Sequence, residues 1–129
     1  MKIEHIGIWV NDIEKMKLFY EDNFGFVSSN RYVNTEKQFT SYFLKVNGSA
    51  RIELMKIPES RMTDSAKGQN YYGFAHIAFS TGSKEKVISL TETLRDKGYI
   101  IFSEPRTTGD GYFESVVLDP EGNKIEITE

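Results

Sequence analysis

The sequence predicts an α+β fold made of two tandem βαβββ modules, residues 1–57 and 73–129, joined by a linker at 58–72. Three observations predict it. A strand core centred on histidine occurs twice, as His5-Ile6-Gly7-Ile8 and His76-Ile77-Ala78-Phe79. Each is followed by apolar residues at helical spacing: Ile13, Met16, Phe19 and Tyr20, then Val87, Leu90, Thr91 and Leu94. Each half then closes on a strand with one carboxylate between branched neighbours, Ile52-Glu53-Leu54 and Ile125-Glu126-Ile127. An internal repeat of this kind means that each half is one supersecondary unit.

Taken in order, Ile3 to Val10 alternates as a strand, with Ile6, Ile8 and Val10 on one face and His5, Gly7 and Trp9 on the other. Asn11 or Asp12 caps a helix that ends at Asn23 to Gly25, Gly25 suiting the left-handed position after a helix. Strands follow at 26–33 and 39–46, and Asn47-Gly48 is a hairpin signal leading into a strand at 50–57 that Pro58 ends. The second half repeats the order. A strand runs from Gly73 to Ser80, and Ser83 caps a helix that Gly98 terminates. Strands follow at 99–103, 112–118 and 124–128, with a glycine-containing loop at 106–111 and a turn at Asp119-Pro120-Glu121-Gly122-Asn123.

Composition narrows the function. A chain of 129 residues, 39% hydrophobic and 27% charged, suffices for one compact domain with a real core. A net charge of −3 gives no reason to expect a nucleic acid or an anionic membrane as partner. With no cysteine, disulfides, thiolate metal sites and cysteine nucleophiles are excluded, and a cytoplasmic protein is expected. Charge breaks the opening residues before any signal-type apolar core forms.

What remains is the set His5, Glu53, His76 and Glu126. Strand alternation puts each on the face opposite its aliphatic neighbours. The aliphatic face packs under the helices, which leaves the His and Glu side chains on the other side. A lone histidine on a strand is more often structural, and a lone Glu at a strand end is usually a solvated charge. The repeat regenerates both in the same setting, which favours a joint role as four ligands of one divalent metal. Two imidazoles and two carboxylates suit Zn2+, Ni2+, Co2+, Mn2+ or Fe2+ rather than a soft copper site. Other features read less sharply. Trp9 either lines the pocket or is a core aromatic. Gly7 leaves room beside the metal or marks a bulge. Arg51 reads as a surface salt bridge in preference to a substrate contact, residues 107–111 as a turn or a lid, and alternation leaves open which of Tyr112, Phe113 and Glu114 faces the pocket.

On these residues, together with Phe19-Tyr20 through Gly25-Phe26, Phe74 to Phe79, and Asp119-Pro120-Glu121-Gly122-Asn123-Lys124-Ile125-Glu126, the whole chain resembles the vicinal oxygen chelate superfamily. This group includes glyoxalase I, bleomycin resistance proteins and dioxygenases. The resemblance implies a curved, mostly antiparallel cup-shaped sheet with helices outside, holding a metal. The order His, Glu, His, Glu is that of glyoxalase I, so the implied activity is a lactoylglutathione lyase-like proton transfer on a small oxygen-chelating substrate, such as a hemithioacetal. Zn2+ or Ni2+ is the implied ion, Glu126 the base with Glu53 as its partner, and a homodimer the implied assembly. The alternatives are a metal-dependent dioxygenase or thiol transferase, and a non-catalytic protein that sequesters a small ligand.

Overall fold

The computed structural model describes residues 3–62, 73–109 and 111–129. Most of the expected linker and Asp110 of the expected loop lie outside them. The chain divides into two compact units, 1–65 and 66–129.

In the first unit, β1 (His5–Trp9) leads into helix α1 (Ile13–Phe24). The helix forms where the sequence supplies both ends. The Asp12 carboxylate accepts from the Lys15 backbone N–H, and Gly25 takes the left-handed conformation at φ 68°. Ile13, Met16, Phe19 and Tyr20 are its buried face. The expected strand at 26–33 is instead two short ones, β2 (Val27–Ser28) and β3 (Tyr32–Asn34), both paired with β4 (Phe39–Lys45). The break has a local cause: Ser29 exchanges bonds with Phe43 through its own side chain, its Oγ accepting the Phe43 N–H at 3.0 Å while its N–H donates to the Phe43 carbonyl. A turn in which Asn47 and Gly48 both have positive φ joins β4 to β5 (Arg51–Lys56), as the Asn-Gly pair predicts. The sheet order is β1-β5-β4-β2, with β1 and β5 parallel and the β4 pairings antiparallel. After β5, residues Glu59–Arg61 form one 3-10 turn inside the span expected as linker.

In the second unit, β6 (Ile77–Ser80), helix α2 (Lys84–Asp96), β7 (Ile101–Thr107), β8 (Phe113–Leu118) and β9 (Lys124–Thr128) form a sheet in the order β6-β9-β8-β7. Two expectations need correction. The strand expected from Gly73 starts only at Ile77, so His76 stands at its entrance. Ile77 pairs with Ile125 in a parallel ladder, and any residue before His76 would need a partner inside the turn that precedes β9. The unit's second strand, β7, starts at Ile101 and runs to Thr107, through residues expected to be loop. It is the edge strand, where Pro105 leaves no central ladder bond unmade, and its register with β8 shifts twice.

The turn before β9 is built on Asp119, whose carboxylate accepts the Glu121 and Asn123 N–H groups and the Asn123 side-chain amide at 2.8–2.9 Å. Burial pushes its carboxyl above the usual aspartate range, against these bonds. The second unit's core is Val87, Leu94, Val117, Ile125 and Ile127, with a fully buried hydroxyl pair, Thr91 Oγ1 to Ser115 Oγ, at 2.6 Å.

Candidate functional site

In each unit the parallel ladder sets the candidate residues side by side. In the first, His5 pairs in register with Arg51 and Gly7 with Glu53, so the His5 and Glu53 side chains leave the same face of the sheet. Ile52 and Leu54 are buried on the other. His5 Nε2 lies 3.7 Å from Glu53 Oε2. In the second, Ala78 pairs with Glu126, while Ile125 and Ile127 are buried. His76 Nε2 lies 3.5 Å from Glu126 Oε2. The structure thus brings together His5 with Glu53 and His76 with Glu126. Among the described residues of either unit, no third His, Asp or Glu completes a group able to hold a metal ion.

The neighbours on these faces are now assignable. Phe43 pairs with Glu53, and its ring meets His5 edge-on at 5.5 Å. Trp9 is 45% exposed and packs edge-on against Phe39, which removes it from the core. Gly7 is no bulge, since its ladder is regular. A Cβ there would meet Met55 Cε at 2.7 Å, so the glycine makes room for Met55. In the second unit Val116 pairs with Glu126 and Glu114 with Thr128, which puts Glu114 on the Glu126 face and Phe113 on the other. Arg106 stands 3.7 Å from Glu114.

The sequence profile of the Glyoxalase/Bleomycin resistance protein/Dioxygenase superfamily matches residues 2–127. The chain belongs to this superfamily. A lactoylglutathione lyase of Schizosaccharomyces pombe is 26% identical, over 98% of this chain and 46% of its own length. The chain therefore spans about half of the curated relative it matches. A glyoxalase family protein from Enterococcus faecalis superposes with a TM-score of 0.80 at 24% identity, covering 99% of this chain and 97% of that one. A glyoxalase I mutant from Zea mays gives 0.79 at 22%, covering 98% and 44%. The trypanothione-dependent glyoxalase I of Leishmania major gives 0.78 at 22%, covering 100% and 86%. At such identities the likeness is one of fold.

One feature of this superfamily member escapes the alternation pattern. Glu4 precedes β1, and pleating would send its side chain away from that of His5. The Glu4 carboxylate nonetheless reaches His5 Nδ1 at 2.5 Å and also accepts from Arg51. The His5 hydrogen bond, with Arg51 beside it, holds the Glu4 carboxyl below its ordinary value. Arg51 is thus in a salt bridge, as expected, and its guanidinium also lies 4.1 Å from the Phe43 ring centroid. Among the described residues no helix is long and apolar enough to cross a membrane.

Proposed function

We propose that His5, Glu53, His76 and Glu126 together hold one divalent ion and that the chain is a glyoxalase I-like lyase or isomerase acting by proton transfer on a small oxygen-chelating substrate. The observation that carries this reading is the recurrence of one His–Glu pair in both units. Two ligands bonded at about 2.1 Å and subtending a tetrahedral angle stand about 3.4 Å apart, close to the 3.7 and 3.5 Å of the two pairs. Each pair supplies half of a four-ligand set, so the set needs both, from one chain or from two copies in a homodimer. The N/O donor set fits Zn2+ or Ni2+ first, with Co2+, Mn2+ and Fe2+ as further candidates.

When bound, such an ion polarises a substrate oxygen and stabilises the charge that develops there. The chain's own part is the proton. Glu126 takes it from the carbon beside the substrate carbonyl and returns one to the neighbouring carbon, with Glu53 as its counterpart in the other half. Water exclusion and substrate orientation fall to the apolar residues on the same faces, Phe43 and Trp9 in the first unit and Val116 in the second. A hemithioacetal of a 2-oxoaldehyde and a thiol has the required oxygens. The lactoylglutathione lyase among the relatives supports that class.

The test is elemental analysis of protein reconstituted with Zn2+ or Ni2+, with each of the four residues changed to Ala and hemithioacetal isomerisation assayed alongside. One ion per His5–Glu53–His76–Glu126 set is expected, with affinity lost in each variant. Removing the general base by Glu126→Gln should lower turnover by about 10²–10⁴-fold. Unchanged metal affinity in Glu53→Ala would defeat the assignment. Iron-dependent oxygen uptake with a catechol would move the reading to a dioxygenase, and tight binding of an aromatic ligand without metal or turnover to a sequestering protein.

A further inference from the structure

We infer that Glu4 is a positioning residue that presets one half of the proposed site, holding the His5 imidazole with its Nε2 lone pair aimed at the metal side while Arg51 holds Glu4 in place. The inference rests on the metal reading above for its purpose, and on geometry alone for its mechanism.

A histidine that ligates through Nε2 must carry its proton on Nδ1. The group that accepts that N–H fixes both tautomer and ring orientation. Here that acceptor is Glu4. The Glu4 carboxylate sits 2.5 Å from His5 Nδ1, and His5 Nε2 is the ring atom that faces Glu53. The carboxylate acts only as an acceptor, so the bond selects the Nδ1–H form.

Glu4 is itself tethered. Arg51 donates to its other oxygen, and the Arg51 backbone N–H donates to the Glu4 carbonyl at 3.0 Å. The guanidinium in turn lies over Phe43, whose ring meets His5 edge-on. The chain Phe43, Arg51, Glu4, His5 therefore closes on itself. It matters because Glu4 and His5 are half-exposed, and an isolated pair at that exposure would contribute little and wander. Among the described residues the second unit lacks the device: Ala75 stands where Glu4 does, Lys124 where Arg51 does, and Val116 where Phe43 does. Of the two imidazoles, the first is therefore the one set before metal arrives.

The chain has two histidines, so long-range proton–nitrogen NMR spectra of the metal-free full chain, in alkaline buffer, report both tautomers directly. The wild type should show His5 with a protonated Nδ1 and a bare Nε2. Glu4→Ala should shift His5 toward the Nε2–H form, leave His76 unchanged, and weaken Zn2+ binding by about 10–100-fold in a chelator competition. Glu4→Gln, whose carboxamide oxygen still accepts, should keep the wild-type tautomer and recover most of the affinity. A His5 tautomer that does not respond to Glu4→Ala would overturn the inference. Should the wild type take up no divalent ion, the tautomer spectra still decide the role of Glu4, and only the functional reading fails.

Discussion

The two units repeat one plan with different materials. The first packs its helix through aromatic rings: Phe19, Tyr20 and Phe26 are buried, with ring centroids 5.2 Å apart for Phe19 and Tyr20 and 5.8 Å for Tyr20 and Phe26. The second uses Val87, Leu94 and Val117 and buries a hydroxyl pair, Thr91 with Ser115, where apolar contact would serve. On the opposite face the contrast runs the same way, with the Glu4–Arg51–Phe43 frame around His5 and Ala75, Lys124 and Val116 as the counterparts in the second unit. A core accepts such exchanges so long as volume and patterning are kept. What both units retain is the parallel ladder that sets His beside Glu. The ladder, and no particular packing, is what the duplicated plan preserves.

The largest expected effect that would test this lies in the aromatic core. Phe19→Ala should destabilise the first unit by about 3–5 kcal/mol. Trp9 is the only tryptophan and lies in that unit, so urea unfolding followed by its fluorescence reads the loss there. Far-UV circular dichroism reads both units. Coincident shifts by the two probes would show that the units melt together and would blunt the contrast.

A smaller effect sharpens the comparison from the other side. Thr91→Val leaves the buried Ser115 hydroxyl without its partner and should cost about 1–3 kcal/mol, whereas Thr91→Val with Ser115→Ala should be nearly neutral. The measurement is the urea midpoint by circular dichroism. A double variant as unstable as the single one would mean that the hydroxyl pair is structural in its own right.

The smallest effect is pH-dependent and belongs to the second unit, since Asp119 caps the turn that delivers Glu126. Its folded-state carboxyl lies above the ordinary value because burial disfavours the charge. The folded chain then binds more proton than the unfolded one across that interval. This group's contribution therefore makes stability fall as pH rises from the ordinary aspartate range through the raised one. Asp119→Asn removes that contribution, so as pH rises through this range its urea midpoint should fall less, or rise more, than that of the wild type. Equal slopes would assign the wild-type trend to other groups.

Much of this was legible before the structure. Helix limits followed from Asn11 or Asp12, Gly25 and Ser83 because capping is local, the structure choosing Asp12, and the His and Glu faces followed from alternation because a strand's period is two. The break at Ser29 was not legible, because it depends on a side chain reaching across to Phe43. Nor was the late start of β6, which depends on where its partner β9 begins. The extension of β7 through Pro105 required knowing that the strand is an edge.

By itself the sequence determined the two βαβββ units, their helices and the four candidate ligands, since period, caps and turns are properties of neighbours along the chain. Only the tertiary structure decided that His5 lies 3.7 Å from Glu53 and His76 3.5 Å from Glu126, and that Glu4 turns back onto His5. Those distances depend on the register between strands far apart in the chain, and register is a pairing choice that no local run of residues contains.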